Sequence, residues 1–127
     1  MTSEPDPRAR LPVAVIQLSS QDSVPDNLAQ IDALVARAAS AGAQLVLLPE
    51  NFAYMGTERG KRAIAEHLPD DRAPIQAALR ALARRERVTL IAGGFPERTA
   101  DPERPHNTSV VVTPEGTLSA VYRKVHL

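Results

Sequence analysis

Short apolar runs alternate along the chain with segments whose apolar positions recur every three or four residues. Three of the runs have the length and continuity of strands buried on both faces of a parallel sheet, and they cover residues 13–18, 44–48 and 88–92. Between them, helical periodicity predicts one helix from about 24 to 41 and another over 73–87. This alternation indicates an α/β fold built from βαβ units with right-handed crossovers.

Capping residues mark where the predicted helices begin and end. Ser23 gives the first helix a start that resembles a capping box, and Gly42 can adopt the left-handed conformation that ends it. Asp70 or Asp71 is expected to cap the second long helix. A further short helix is predicted within residues 57–67, between the second and third strands.

The pattern changes to a hairpin in the last part of the chain. Residues 108–113 and 118–127 read as strands, and Pro114 to Thr117 between them favours a tight turn. The two strands are therefore expected to be antiparallel. Side chains alternate along the second strand, so Tyr122 and Lys124 should share one face of the sheet.

Composition excludes several classes of protein. Fifteen basic residues balance fifteen acidic ones, so the zero net charge gives no attraction to nucleic acid or to an acidic membrane. The three histidines have spacings that no local metal motif uses, and no metal is assigned to His67, His106 and His126. Residues 1–10 are polar and expected to be disordered, and no run approaches the ~18 apolar residues of a membrane span, so a cytoplasmic protein is expected.

Two charged residues are candidates for chemistry. Pro49 cannot donate to a sheet ladder and ends the second strand, so Glu50 follows at the carboxyl end of that strand. Ligands bind at this edge of open α/β sheets, which makes Glu50 a candidate acid or base, with a solvated loop carboxylate as the alternative. Lys124 is one of two lysines beside thirteen arginines; it is either a functional ammonium or an edge lysine that opposes aggregation.

Seven short segments, taken together, match a known pattern. In chain order they are VAVIQL, NLAQI, LVLLPENF, IAGGF, HNTSVVV, PEG and YRKVHL. Their order and spacing resemble the nitrilase superfamily of carbon–nitrogen hydrolases, in particular the amidase branch related to Nit proteins and ω-amidases. The resemblance covers residues 11–127 and implies an α-β-β-α sandwich, of which these residues form an N-terminal portion with βαβαβ followed by an antiparallel hairpin.

The resemblance implies hydrolysis of a small non-peptide amide, of the ω-amidase or deaminated-glutathione-amidase kind, with a nitrile as the alternative substrate, by a Glu-Lys-Cys site without a cofactor. Glu50 would match the general base, and Lys124 the cation that stabilises the oxyanion and orients the other two groups. The nucleophilic cysteine of the family lies downstream of the lysine, and these 127 residues contain no cysteine. The chain is therefore expected to be truncated and inactive alone, and the full-length protein to be a homodimer.

Two alternatives remain at this point. A non-catalytic interaction module could keep the half-fold without the nucleophile. A doubly wound nucleotide-binding domain is disfavoured, because residues 18–21 form no glycine-rich turn after the first strand. The hydrolase reading makes one structural prediction, that the charged groups of Glu50 and Lys124 lie within reach of each other.

Overall fold

The fold consists of three helices and five strands that largely follow the predicted order. The computed structural model describes residue 4 and residues 6–125. These residues form β1 (Val13–Val15), α1 (Val24–Ser40), β2 (Leu45–Leu48), α2 (Glu58–Ile64), α3 (Pro74–Glu86), β3 (Thr89–Glu97), β4 (His106–Val112) and β5 (Leu118–Arg123). Part of the predicted disordered segment 1–10, together with His126 and Leu127, lies outside the described residues. Within them, no helix is both long and apolar enough to cross a bilayer.

All five strands form one mixed sheet in chain order, from β1 to β5. β1, β2 and β3 are parallel to one another, whereas β3, β4 and β5 are paired antiparallel. The predicted α/β class and the predicted hairpin are both confirmed. Because β2 and β3 are parallel neighbours, their carboxyl ends meet at one edge of the sheet.

Several boundaries differ from the prediction. β1 ends at Val15 and not at Leu18, because its partner β2 leaves the sheet at Pro49 and leaves little backbone to pair with. β5 ends at Arg123, earlier than the predicted hairpin strand. The short helix predicted within residues 57–67 is confirmed as α2.

The helices cover one face of the sheet. Alternate strand residues are buried there in a single core with side chains of α1 and α3, which include Ile31, Val35, Val46, Leu48, Leu79, Leu82, Leu90, Ala92 and Val110. On the other face Val13 is 49% and Val15 76% exposed. The apolar pattern predicted burial on both faces; among the described residues only one face is covered, because α1 and α3 pack side by side.

The ends of α1 are closed as predicted. The Ser23 hydroxyl accepts a hydrogen bond from the Asp26 N–H at 3.3 Å. At the other end Gly42 has a φ of +100°, and the Ala43 N–H donates to the Ala38 carbonyl at 3.1 Å. This arrangement is a Schellman motif, which satisfies carbonyls that the helix leaves free.

The cap of α3 was predicted wrongly. Neither Asp70 nor Asp71 caps the helix; the Glu66 carboxylate accepts hydrogen bonds from the N–H groups of Ile75 at 2.6 Å and Gln76 at 3.1 Å. Burial raises the pKa of Glu66, and these hydrogen bonds oppose that rise. A cap from outside the helix leaves no local signal, because it depends on how the loop after α2 folds back.

β3 does not end at the Gly93-Gly94 pair, as the sequence predicted, but continues to Glu97. Gly94 has a φ of +69°, and the pairing of β3 with β4 shifts between Ala92 and Phe95. The glycines therefore form a bulge within the strand, because only glycine adopts this conformation without strain. The bulge places backbone beside the end of β2.

Glu66→Gln is expected to lower the free energy of unfolding by about 1–3 kcal/mol, because an amide NH₂ would face at least one buried N–H of α3. Glu115→Gln, in the exposed turn before β5, is the matched control and should change it by less than about 0.5 kcal/mol. Urea denaturation measures both. Equal stabilities for Glu66→Gln and the parent chain would contradict the capping role.

Candidate active site

Glu50 lies directly beyond the carboxyl end of β2, at the edge of the sheet where a ligand site was predicted. The next residue, Asn51, has a φ of +57°, and its N–H donates to the Gly94 carbonyl at 3.0 Å. This contact turns the chain sharply after the strand and ties it to the β3 bulge. The Glu50 side chain is held beside β3 and β4 as a result.

Lys124 reaches Glu50 from the end of β5. Its Nζ donates to Glu50 Oε1 at 3.2 Å, and its backbone N–H donates to the Asn107 carbonyl at 2.9 Å. The predicted proximity of the two charged groups is therefore confirmed. Their catalytic roles remain predictions.

Asn107, the second residue of β4, completes the contacts of Glu50. Its Nδ2 donates to Glu50 Oε1 at 2.9 Å, so Oε1 accepts from both the amide and the ammonium. Among the described residues, both side-chain hydrogen bonds to the Glu50 carboxylate go to Oε1. Asn107 was not predicted as a site residue; its place in the segment HNTSVVV, just before an apolar run, was the available signal.

The hydrogen bond from Lys124 lowers the pKa of Glu50 below its ordinary value, and the hydrogen bond from Asn107 and the charge of the ammonium lower it further. Glu50 is thus a carboxylate at neutral pH. An ionised carboxylate is able to accept a proton from a ligand.

A cavity of about 280 Å³ opens beside these groups. It is lined by Glu50, Gly93, Gly94, Asn107, Ser109, Tyr122 and Lys124. Tyr122 and Lys124 share this side of the sheet, as the alternation along the strand predicted. The part of the chain that the structure describes contains no cluster of three acidic or histidine side chains suited to a metal ion.

Gly94 leaves room for the pair of side chains that meet in front of it. A Cβ on this residue would lie 2.6 Å from Asn107 Oδ1 and 3.1 Å from Glu50 Cγ. Any other residue would push these two side chains away, in addition to the strain of the positive φ. The bulge is thus a packing requirement of the site.

A carboxylate and an ammonium are thus hydrogen-bonded to each other beyond the strand ends of a mixed α/β sheet. The family model described as Carbon-nitrogen hydrolase matches residues 12–127. The chain belongs to this family.

Relatives of known activity agree with this assignment. The chain is 36% identical over 115 residues to the deaminated glutathione amidase of Synechocystis sp., covering 90% of this chain and 41% of that protein. It is 33% identical to the chloroplastic omega-amidase of Arabidopsis thaliana, covering 95% of this chain and 33% of that protein. The chain thus spans between a third and two fifths of the length of these curated relatives.

A solved structure shows the same fold. A mutant of the amidase from Nesterenkonia sp. AN1, a member of the nitrilase superfamily, superimposes with a TM-score of 0.78 at 28% identity, covering 93% of this chain and 45% of that one. That structure shows the Michael addition of acrylamide at the active-site cysteine of the amidase. The nitrilase-type α/β fold predicted from the sequence is confirmed for the portion described.

Gly94→Ala is expected to lower the free energy of unfolding by more than Gly42→Ala. Both glycines have a positive φ, so each substitution carries a backbone strain of about 1–2 kcal/mol. A Cβ on Gly42 meets nothing within 4 Å, which makes that variant a control for strain alone. Urea denaturation compares the two, and equal losses would contradict the close packing of Gly94 against Asn107 and Glu50.

Proposed function

We propose that this site takes part in the hydrolysis of the C–N bond of a small non-peptide amide. The observation that carries the proposal is the contact between the Glu50 carboxylate and the Lys124 ammonium, 3.2 Å apart at the wall of a cavity. Membership in the carbon–nitrogen hydrolases and similarity to an omega-amidase and a deaminated glutathione amidase support this class of reaction.

Glu50 is the general base of the proposed reaction. The proposed nucleophile is a cysteine thiol, which these 127 residues do not contain; the active-site cysteine of the Nesterenkonia amidase supports this choice of nucleophile. Glu50 Oε2 takes the thiol proton as sulfur attacks the carbonyl carbon, because the thiolate is the strong nucleophile. The same proton then passes to the departing nitrogen, and ammonia leaves as a thioester forms.

Water completes the turnover. Glu50 removes a proton from the water molecule that attacks the thioester, and the carboxylic acid product and the free thiol are released. The carboxylate thus carries one proton in each half of the cycle and returns to its starting state, which requires no cofactor.

Lys124 contributes positive charge at the moment when it is needed. In the resting site its charge is balanced by Glu50, 3.2 Å away. When Glu50 accepts the thiol proton, that negative charge disappears and the ammonium can stabilise the oxyanion that forms on the substrate. The ion pair therefore keeps Glu50 ionised before the reaction, and Lys124 becomes available to the oxyanion once Glu50 has taken the proton.

Two hydroxyl groups stand at the cavity wall beside the ion pair. Ser109 and Tyr122 offer them to the polar atoms of an acyl chain.

A second candidate is an interaction module that keeps the fold without catalysis. The two candidates differ in the coding sequence after Leu127. A continued reading frame with a cysteine supports the hydrolase, and a stop codon supports the module.

In the protein that this reading frame encodes, Glu50→Gln is expected to lower kcat by about 10²–10⁴-fold, because the amide preserves the shape but cannot take the thiol proton. Ammonia release from short ω-amides measures it, with the exposed Glu115→Gln as a control that should match the parent. Activity of Glu50→Gln within about threefold of the parent would rule out Glu50 as the base.

A further inference from the structure

A second carboxylate–cation pair lies immediately beside the first. Arg123 Nε donates to Glu97 Oε1 at 2.7 Å, and the second guanidinium nitrogen donates to Oε2 at 2.8 Å. Such a two-point contact fixes the orientation of both groups, which a single ammonium cannot do. Arg123 precedes Lys124 in the chain, so this pair and the candidate catalytic pair involve consecutive residues.

Glu97 is itself held firmly. It is buried, and its Oε1 also accepts a hydrogen bond from the hydroxyl of Thr108 at 2.8 Å. The backbone on both sides of Glu97 is tied to Glu66, whose N–H donates to the Pro96 carbonyl at 3.1 Å and whose carbonyl accepts from the Arg98 N–H at 2.7 Å. Arg123 therefore binds to a fixed point at the end of β3.

The two pairs are linked through β4. Thr108 pairs with Arg123 in the sheet register. The backbone carbonyl of the neighbouring Asn107 accepts a hydrogen bond from the backbone N–H of Lys124. Since side chains alternate along a strand, Asn107 and Lys124 face Glu50 while Thr108 and Arg123 face Glu97. Side-chain contacts on both faces of the sheet thus hold the end of β5.

The contact between Arg123 and Glu97 differs from another two-point ion pair of the described residues. Arg85 makes an equivalent two-point contact with Asp32, at 2.8 and 2.9 Å, between α1 and α3 and away from the cavity. Arg85 and Arg123 are similarly exposed, with 50% and 48% of the side chain accessible. Of these two pairs, the one between Arg123 and Glu97 has a buried carboxylate and adjoins a residue of the candidate site.

We propose that Glu97 is a positioning residue for Lys124, and that it acts through Arg123 by fixing the end of β5 so that the ammonium reaches Glu50. The inference rests on the proposed function, because it assigns to the pair a role in presenting Lys124. Lys124 lies one residue beyond the strand and has a long, flexible side chain that is 44% exposed. Without a fixed backbone such a side chain samples many rotamers, and its contact with Glu50 would be occupied for less of the time.

The test uses Arg123→Lys, which keeps the charge and loses the two-point contact, with Arg85→Lys as the matched control. Glu97→Gln is a second variant, which keeps the shape and removes the charge of the buried partner. In each 127-residue chain the Glu50 carboxyl is titrated by carbon NMR, and urea denaturation reports the free energy of unfolding. The ammonium resonance of Lys124 is followed beside that of Lys61, the other lysine of the chain.

Arg123→Lys and Glu97→Gln are expected to raise the pKa of Glu50 toward its ordinary value and to shift the Lys124 ammonium resonance toward that of a solvated lysine. Arg85→Lys should leave the Glu50 pKa and the Lys124 resonance at the parent values. This holds even if Arg85→Lys lowers the free energy of unfolding as much as Arg123→Lys does. The proposal would be overturned if Arg123→Lys kept the parent's Glu50 pKa and Lys124 resonance. It would also be overturned if Arg85→Lys shifted these two quantities as much as Arg123→Lys does. These readouts need no turnover, so the proposal can fail while Glu50→Gln still abolishes activity, and the reverse.

Discussion

The site depends on one oxygen atom, Glu50 Oε1, which accepts hydrogen bonds from both Asn107 and Lys124. These two donors come from different strands, so the carboxylate joins the ends of β2, β4 and β5 at one point. They also lower the pKa of Glu50, whose side chain lines the cavity. Glu50 is therefore ionised and held in a fixed orientation, and it accepts a proton only when a reacting group or a change in its surroundings raises its pKa.

The sheet creates this meeting point through its order. Parallel β2 and β3 deliver Glu50 and the glycine bulge to one edge, and the antiparallel hairpin returns the chain so that Asn107 and Lys124 arrive at that edge from opposite ends of their strands. Gly94 then allows the close approach of Asn107 to Glu50. The charged residues behind the site, Glu97 and Arg123, belong to the same strands and form their contact on the opposite face.

The sequence predicted those parts of this arrangement that depend on local patterns. Apolar periodicity located the helices and the order of the strands, and Pro49 after a buried run located Glu50. Asn107 and the cap of α3 by Glu66 escaped prediction because their partners are distant in sequence and are chosen by the tertiary fold. The Gly93-Gly94 pair was read as a strand end, since glycines that end a strand and glycines that form a bulge look alike until the pairing of β4 is known.

The coupling between Glu50 and Lys124 is measured most directly by titrating the Glu50 carboxyl in the parent chain and in Lys124→Met. The account predicts a pKa below the ordinary value in the parent and a higher pKa in the variant, because the strongest cause of the lowering is the hydrogen bond from Lys124. By linkage, the parent should hold an advantage in stability above the ordinary pKa of a glutamate and lose it as the pH falls through the lowered value. The same pKa in both chains would contradict the account.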